Sequence, residues 1–269
     1  MEINRSNVFE IVEKASLKPD KDYGQNFLVE PQLCERIVNA LDIQENDSVI
    51  EVGPGLGSLT HFLTLNKADI SVVDIDKRMI DFLNIVYKES NIKIIKNDIR
   101  KVDVSNYNKV LGNLPYNITT ETIQYFLVNA TKAEKMVFMI QSETFAHFFD
   151  VAGKEYGPTS VLIHLLGKIE RLFTVKPGSF YPAPKCNSVV FSINIDTRVN
   201  RNAAIKAFNL AKQLFVNRRK TIQNNLLSYL KNKDTVNKLC EDLKINPLSR
   251  PEQLSPEIYL SISEYLENK

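Results

Sequence analysis

The sequence predicts a doubly wound α/β sheet followed by a small all-helical domain, and three observations carry that prediction. Short apolar segments alternate with helical ones along most of the chain. A glycine-rich turn, "GPGLG" at 53–57, separates the first central strand from the helix after it. From about Asn200 the strand signal stops and helical periodicity takes over. Strand–helix–strand alternation at this spacing implies parallel pairing through right-handed crossovers. The expected division is residues 1–198 for the sheet domain and 199–269 for the helical one.

The elements follow in order. "QLCERIVNALDI" puts Leu33, Ile37, Val38 and Leu41 on one helical face. Ser48 to Val52 is a short apolar strand, and a helix starts near Ser58 after the glycine turn. "ADISVVDID", "NIKIIKNDI", "NKVLGNLPY" and "KMVFMIQ" read as four further strands, with helical segments between them. "NAAIKAFNLAKQLFVNRRKTIQNNLLSYL" reads as one long helix striped by Ile205, Phe208, Ala211, Leu214 and Phe215. "SPEIYLSISEYLEN" is another, with Ser255 as N-cap and Pro256 in the first turn.

The 269 residues are 43% hydrophobic and 25% charged, an ordinary globular composition with room for a large and a small domain. Cys34, Cys186 and Cys240 are too few and too scattered for a disulfide framework, and no clustered Cys or His suggests a metal. The N-terminus lacks an apolar signal core, and the longest apolar runs fall short of the roughly 18 residues of a spanning helix. A soluble cytoplasmic protein, with no membrane partner, is expected. Net charge is +2, yet residues 197–233 hold nine Lys or Arg and no acid, so the rest sums to 2 − 9 = −7. Such a patch is either a solvated helix face or the footprint of a polyanion.

The turn in "VIEVGPGLGSLT" carries the first chemical signal. Gly53 and Gly55 let the backbone turn sharply and approach a ligand. Asp74 ends the next strand, where a carboxylate can accept from ribose hydroxyls. Asp98 ends the third, where it can accept from an adenine amino group or cap a helix. Glu51, inside the first strand, can face an ammonium or satisfy backbone donors. The glycine spacing departs from the pyrophosphate-binding pattern, with Ser58 at the expected third glycine. An amino-acid end, a ribose and an adenine are all present in S-adenosylmethionine, which has no pyrophosphate to repel these acids.

"NLPY", Asn113 to Tyr116, fits methyl transfer to an exocyclic nucleobase amine. The lone pair of that amine is delocalised into the ring. Acceptors at the Asn113 side-chain oxygen and the Leu114 carbonyl would favour a more tetrahedral nitrogen. Pro115 fixes the backbone that aims them, and Tyr116 offers a face for the base to stack on. Asn-x-Pro also makes ordinary turns.

Four segments, "GQNFL" at 24–28, "EVGPGLGSLT" at 51–60, "GNLPYN" at 112–117 and "FYPAPKCNSVV" at 180–190, together resemble the rRNA adenine N6,N6-dimethyltransferase family. "EYGPTSVL" and "FVNRRKTIQNNL" resemble its small-subunit (KsgA-type) branch more than its erythromycin-resistance branch. The resemblance implies a Rossmann-like, S-adenosylmethionine-dependent methyltransferase sheet with a helical rRNA-binding domain. Its substrate would be two adjacent adenines in the 3′-terminal hairpin loop of 16S rRNA, on a small ribosomal subunit precursor, and it would act as a monomer. Asn26, Leu28, Gly53, Asp74, Asp98 and Asn113 resemble cofactor contacts, with Ile75 and Ile99 beside the acids. Phe180 resembles the aromatic that sandwiches the target base opposite Tyr116. Arg218, Arg219 and Lys220 are expected to hold rRNA phosphates. Asp74 replaces the family's usual Glu. Three other readings remain: a macrolide-resistance methyltransferase acting on 23S rRNA, a nucleic-acid-binding factor with catalysis lost, and an NAD-dependent oxidoreductase.

Overall fold

The computed structural model describes residues 1–20, 24–115 and 118–267. The chain forms two compact units, Met1–Glu143 with Glu170–Ile195, and Thr144–Ile169 with Asp196–Lys269. The elements run α1 (Val8–Lys14), β1 (Phe27–Leu28), α2 (Pro31–Asn39), β2 (Ser48–Val52), α3 (Ser58–Leu63), β3 (Asp69–Asp74) and α4 (Lys77–Val86). Then come β4 (Ile92–Lys96), β5 (Lys109–Asn113), α5 (Thr119–Asn129), β6 (Lys135–Gln141), α6 (Ser142–Phe149) and α7 (Pro158–Leu166). Strands β7 (Gly167–Val175), β8 (Phe180–Tyr181) and β9 (Ser188–Ile195) lead to α8 (Arg201–Leu214), α9 (Ile222–Leu230), α10 (Lys233–Asp242) and α11 (Pro256–Glu267).

A seven-stranded sheet in the order β4-β3-β2-β5-β6-β9-β7 organises the fold. The five strands expected from the sequence are β2 to β6, and they pair in parallel. Strand β9 pairs antiparallel with β6, Phe138 facing Phe191. Strands β7 and β9 lie beyond the five read from the sequence: Lys168, Glu170 and Arg171 interrupt the apolar pattern of β7, and a loop, not a helix, precedes β9. Central strands are apolar on both faces, as a sheet covered by helices requires. Val49, Ile50, Val110, Leu111, Met136 and Val137 are all fully buried. Polar groups cluster at the other strand ends, where Asn108 donates to Asp47 at 2.6 Å and accepts from the Ser48 amide at 2.8 Å.

The second unit has its own core, built from Ala207, Leu210 and Leu214 of α8, Leu226 of α9 and Ile262 of α11. The expected single long helix breaks after Leu214. A short 3-10 turn occupies Phe215–Asn217, and α9 restarts at Thr221, whose hydroxyl accepts from the Asn224 amide at 3.3 Å. A threonine cap satisfies a first-turn donor, which is what lets a helix begin there. Phe215 stacks on Tyr259 at 5.9 Å and meets Tyr156 edge-on at 5.8 Å. Arg218 covers that ring at 5.8 Å, pairs with Glu252 and donates to the Gly153 carbonyl at 2.6 Å. Among the described residues no helix is long and apolar enough to cross a membrane.

Candidate active site

Strand order reverses between β2 and β5, and open α/β sheets bind ligands outside the carboxyl ends of strands at such a switch point. A cleft of about 300 Å³ opens there. Gly53 and Gly55 line it with φ of +66° and +54°, a left-handed conformation that suits glycine. A Cβ on Gly55 would lie 3.0 Å from the Phe27 ring. A Cβ on Gly53 would stand 3.7 Å from the Asn113 carbonyl, an ordinary contact, so the left-handed φ and not crowding is what suits glycine there.

Three carboxylates face the cleft. Glu51 is 1% exposed and accepts from the Thr60 hydroxyl at 2.6 Å. Burial pushes its carboxyl up to about 8, against the Thr60 hydrogen bond. Burial likewise lifts Asp74 to about 6, opposed by the backbone amides of Asp76 and Gly55. Asp98 is held below the usual range, first by the Arg100 side chain; it also accepts from the Arg100 amide at 3.0 Å. Arg100 spans from Asp98 to Glu121, 2.6 Å to each.

The Glu51 shift has a thermodynamic consequence. Its folded pKa lies above the unfolded value, so the folded state holds the extra proton and stability declines as pH rises toward about 8. Glu51→Gln keeps an acceptor for Thr60 and has no charge to bury. It is expected to melt higher than wild type at pH 9, with a smaller difference at pH 5. Thermal unfolding at the two pH values checks this; an equal gap at both would remove the claim.

Asn113 ends β5, and its Nδ2 donates to the Asn26 carbonyl at 3.3 Å. That bond orients the amide and leaves Oδ1 for an incoming donor. The Leu114 amide donates to the Met139 carbonyl at 3.0 Å, which continues the β5–β6 register past the strand end. The Pro115 carbonyl accepts from the Thr119 hydroxyl at 2.8 Å, which pins the loop to the start of α5. Phe180, in β8, is 6% exposed and pairs with Leu28 of β1.

The cleft thus gathers Asn26, Leu28, Glu51, Gly53, Gly55, Asp74, Ile75, Asp98, Ile99, Asn113, Leu114, Pro115 and Phe180. Tyr116 lies outside the described residues. Arg218, Arg219 and Lys220 belong to the second unit, in the break between α8 and α9 and not on a continuous helix. The sequence reading overlooked Gln25, Thr60 and Arg100. Gln25 had a signal, since it lies within "GQNFL". Thr60 faces Glu51 across the strand-to-helix turn, which spacing alone does not reveal. Arg100 belongs to a local Asp-x-Arg turn that also occurs at Asp76–Arg78 and Asp196–Arg198.

These residues fit S-adenosylmethionine. The three acids can take an ammonium, hydroxyls and an amino group, and the ionised Asp74 and Asp98 would repel a pyrophosphate. The family described as "Ribosomal RNA adenine dimethylase" matches residues 16–268. The chain belongs to that family. It is an rRNA adenine dimethyltransferase, and S-adenosylmethionine is its methyl donor.

Relatives of this dimethylase extend over nearly its whole length. It is 32% identical to a "Ribosomal RNA small subunit methyltransferase A" of Malacoplasma penetrans (strain HF-2), covering 93% of each chain. It is 34% identical to the protein of the same name from Acidithiobacillus ferrooxidans (strain ATCC 23270), covering 91% of this chain and 93% of that one. Among solved structures, a dimethyladenosine transferase from Plasmodium falciparum superposes with a TM-score of 0.76 at 22% identity, over 90% of this chain and 98% of that one. The 23S rRNA methyltransferase ErmE gives 0.68 at 22% identity, over 90% and 100%. These two likenesses show a shared α/β methyltransferase fold.

Proposed function

We propose that this dimethylase methylates N6 of two adjacent adenines in the 3′-terminal hairpin loop of 16S rRNA, twice each, as a cytoplasmic monomer acting on a small-subunit precursor. The observation that carries the chemistry is the Asn113 amide, tethered through Nδ2 to the Asn26 carbonyl so that its oxygen faces outward. The relatives named as small-subunit methyltransferases support this substrate over the 23S rRNA alternative.

S-adenosylmethionine supplies an electrophilic methyl group. The chain's own residues prepare the amine. Asn113 Oδ1 and the Leu114 carbonyl accept its two N–H bonds and draw the lone pair out of conjugation. Pro115 holds the two acceptors in register, while Tyr116 and Phe180 sandwich the base. Glu51 receives the cofactor's ammonium, Asp74 its ribose and Asp98 its adenine amine, with Ile75 and Ile99 against the adenine faces. Primer extension across the 3′ end of small-subunit rRNA, in cells with and without the protein, tests the assignment. A methylation stop there is expected to depend on the protein, and a stop in the large-subunit rRNA instead would favour the resistance-type reading.

The helical unit supplies RNA affinity through the exposed Arg219 and Lys220, for which the described residues provide no ion-pair partner. Arg218 differs, being engaged with Glu252, the Gly153 carbonyl and the Phe215 ring. Replacing Arg219 and Lys220 together by Ala is expected to flatten the salt dependence of small-subunit binding by about 0.7–0.9 in log–log slope per lost phosphate contact, with melting unchanged. Arg218→Ala is expected to lower the melting temperature. Filter binding across a salt series, with thermal melts, separates the two roles. A wild-type slope in the double variant would assign RNA docking elsewhere.

A further inference from the structure

Segment 24–28 touches several walls of the cleft. Gly24 presses on the other side of the NLP loop, where a Cβ on it would lie 3.2 Å from the Pro115 Cβ. Asn26 receives the Asn113 amide, and its own Nδ2 donates to the Gly24 carbonyl at 3.1 Å. The Leu28 carbonyl accepts from Ser58 at the start of α3 at 2.7 Å, and β1 pairs with β8 at Phe180. Within this strap one long polar side chain turns toward the β3–α4 turn. Gln25 Nε2 donates to Asp76 Oδ2 at 2.9 Å, and its Oε1 accepts from the Asp20 amide at 3.0 Å.

Asp76 is 4% exposed and is the pivot of that turn. Its amide donates to Asp74 Oδ1 at 2.9 Å. Its carboxylate takes Gln25, the Arg78 amide at 2.9 Å and the Arg78 guanidinium at 2.6 Å. Arg78 also approaches Asp20 at 3.5 Å, so the same cation faces both ends of the Gln25 contact. Burial alone would raise the Asp76 carboxyl, yet the hydrogen bonds from Arg78 and Gln25 outweigh it and hold the group low. Asp76 is therefore a fixed anion on which the strap is fastened, and its amide hydrogen bond ties it to Asp74.

We infer that Gln25 is a positioning residue that couples the two halves of the site, resting on the reading that Asp74 holds the cofactor ribose and Asn113 the target amine. Its carboxamide ties the strap to Asp76, which orients Asp74. The next residue of the same strap, Asn26, orients Asn113. One side chain thereby sets the distance between the cofactor end and the amine end of the cleft, and the chemistry requires that distance to be held. A misplacement on the order of 1 Å between reacting groups can cost about 100-fold in rate.

The test uses the full chain, S-adenosylmethionine and small subunits from cells lacking the modification, with wild type, Gln25→Ala, Gln25→Glu and Gln25→Glu combined with Asp76→Asn. Gln25→Ala is expected to weaken S-adenosylmethionine binding roughly tenfold by calorimetry, because Asp76 and through it Asp74 are then less well held for the ribose. It is also expected to lower kcat at temperatures where the variant is still fully folded, with KM for the small subunit unchanged. Gln25→Glu faces the Asp76 carboxylate and is expected to be worse. Adding Asp76→Asn restores a donor–acceptor pair with reversed polarity and is expected to recover part of the loss. Wild-type cofactor affinity and kcat in Gln25→Ala would overturn the inference. So would an activity loss that only tracks a lowered melting temperature, or Gln25→Glu with no recovery on adding Asp76→Asn. Failure of the wild type itself to bind S-adenosylmethionine would instead overturn the cofactor assignment beneath it.

Discussion

Asn113→Ala is expected to reduce methyl transfer on the order of 10²–10³-fold, the range seen when one preorganised polar group aimed at developing charge is deleted. The reason is local. The Asn26 carbonyl fixes the Asn113 Nδ2, so its Oδ1 is held in place before substrate arrives. Removing it returns the amine lone pair to the ring and leaves a single acceptor at Leu114. The loss belongs mainly in kcat, because the interaction strengthens as the nitrogen becomes tetrahedral, with a smaller share in S-adenosylmethionine affinity from the cofactor contact expected of the same side chain. Single-turnover rates with small subunits, beside calorimetry with S-adenosylmethionine, check both halves. Full turnover by the variant would refute the role.

Asp74→Ala is expected to act in the opposite compartment of the kinetics. It removes an acceptor from the cofactor's hydroxyls, an interaction made equally in ground and transition states. Affinity for S-adenosylmethionine should fall roughly 10–100-fold, as for hydrogen bonds to a charged group at about 1.5–3 kcal/mol, with kcat at saturation nearly preserved. The pH dependence follows from the lifted carboxyl. Below about 6 Asp74 takes up a proton and becomes a poorer acceptor, so wild-type affinity should decline through that value as pH falls. Asp74→Asn should bind more weakly and lose that decline. Calorimetry at pH 5.5 and 7.5 decides, and parallel pH profiles for wild type and Asn would assign the titration elsewhere.

The centre of the molecule was legible in the sequence for physical reasons. Strands β2, β3, β5 and β6 are largely buried, so they appear as apolar runs, while β4 at the sheet edge mixes isoleucines with lysines, and the glycine turn at 53–57 marks the switch point beside them. Asp74 ends β3, Asp98 follows β4 by two residues and Glu51 lies one residue before the end of β2, which places them near one another once the strands are parallel. What escaped was set by tertiary pairing. Two-residue strands such as β1 and β8 have no periodicity to read. Gln25 looks like any loop amide until Asp76 is brought opposite it. The break at 218–221 hides inside a run of helix-forming residues, and only the Thr221 cap and the aromatic cluster under Arg218 explain why the chain turns there. For the same reason the arginines of that run, alike in sequence, divide into an internal ion pair at Arg218 and an exposed cation at Arg219.

The central claim is that this site places two methyl groups on each of two adjacent adenines of small-subunit rRNA. The most direct measurement incubates purified protein and S-adenosylmethionine with small subunits from cells lacking the modification, then maps methylated nucleosides by mass spectrometry of nuclease fragments. The account predicts N6,N6-dimethyladenosine at two neighbouring positions in the 3′-terminal hairpin loop and none when large subunits replace small ones. Methylation confined to large-subunit rRNA, or an unmodified hairpin loop with cofactor demonstrably bound, would contradict it.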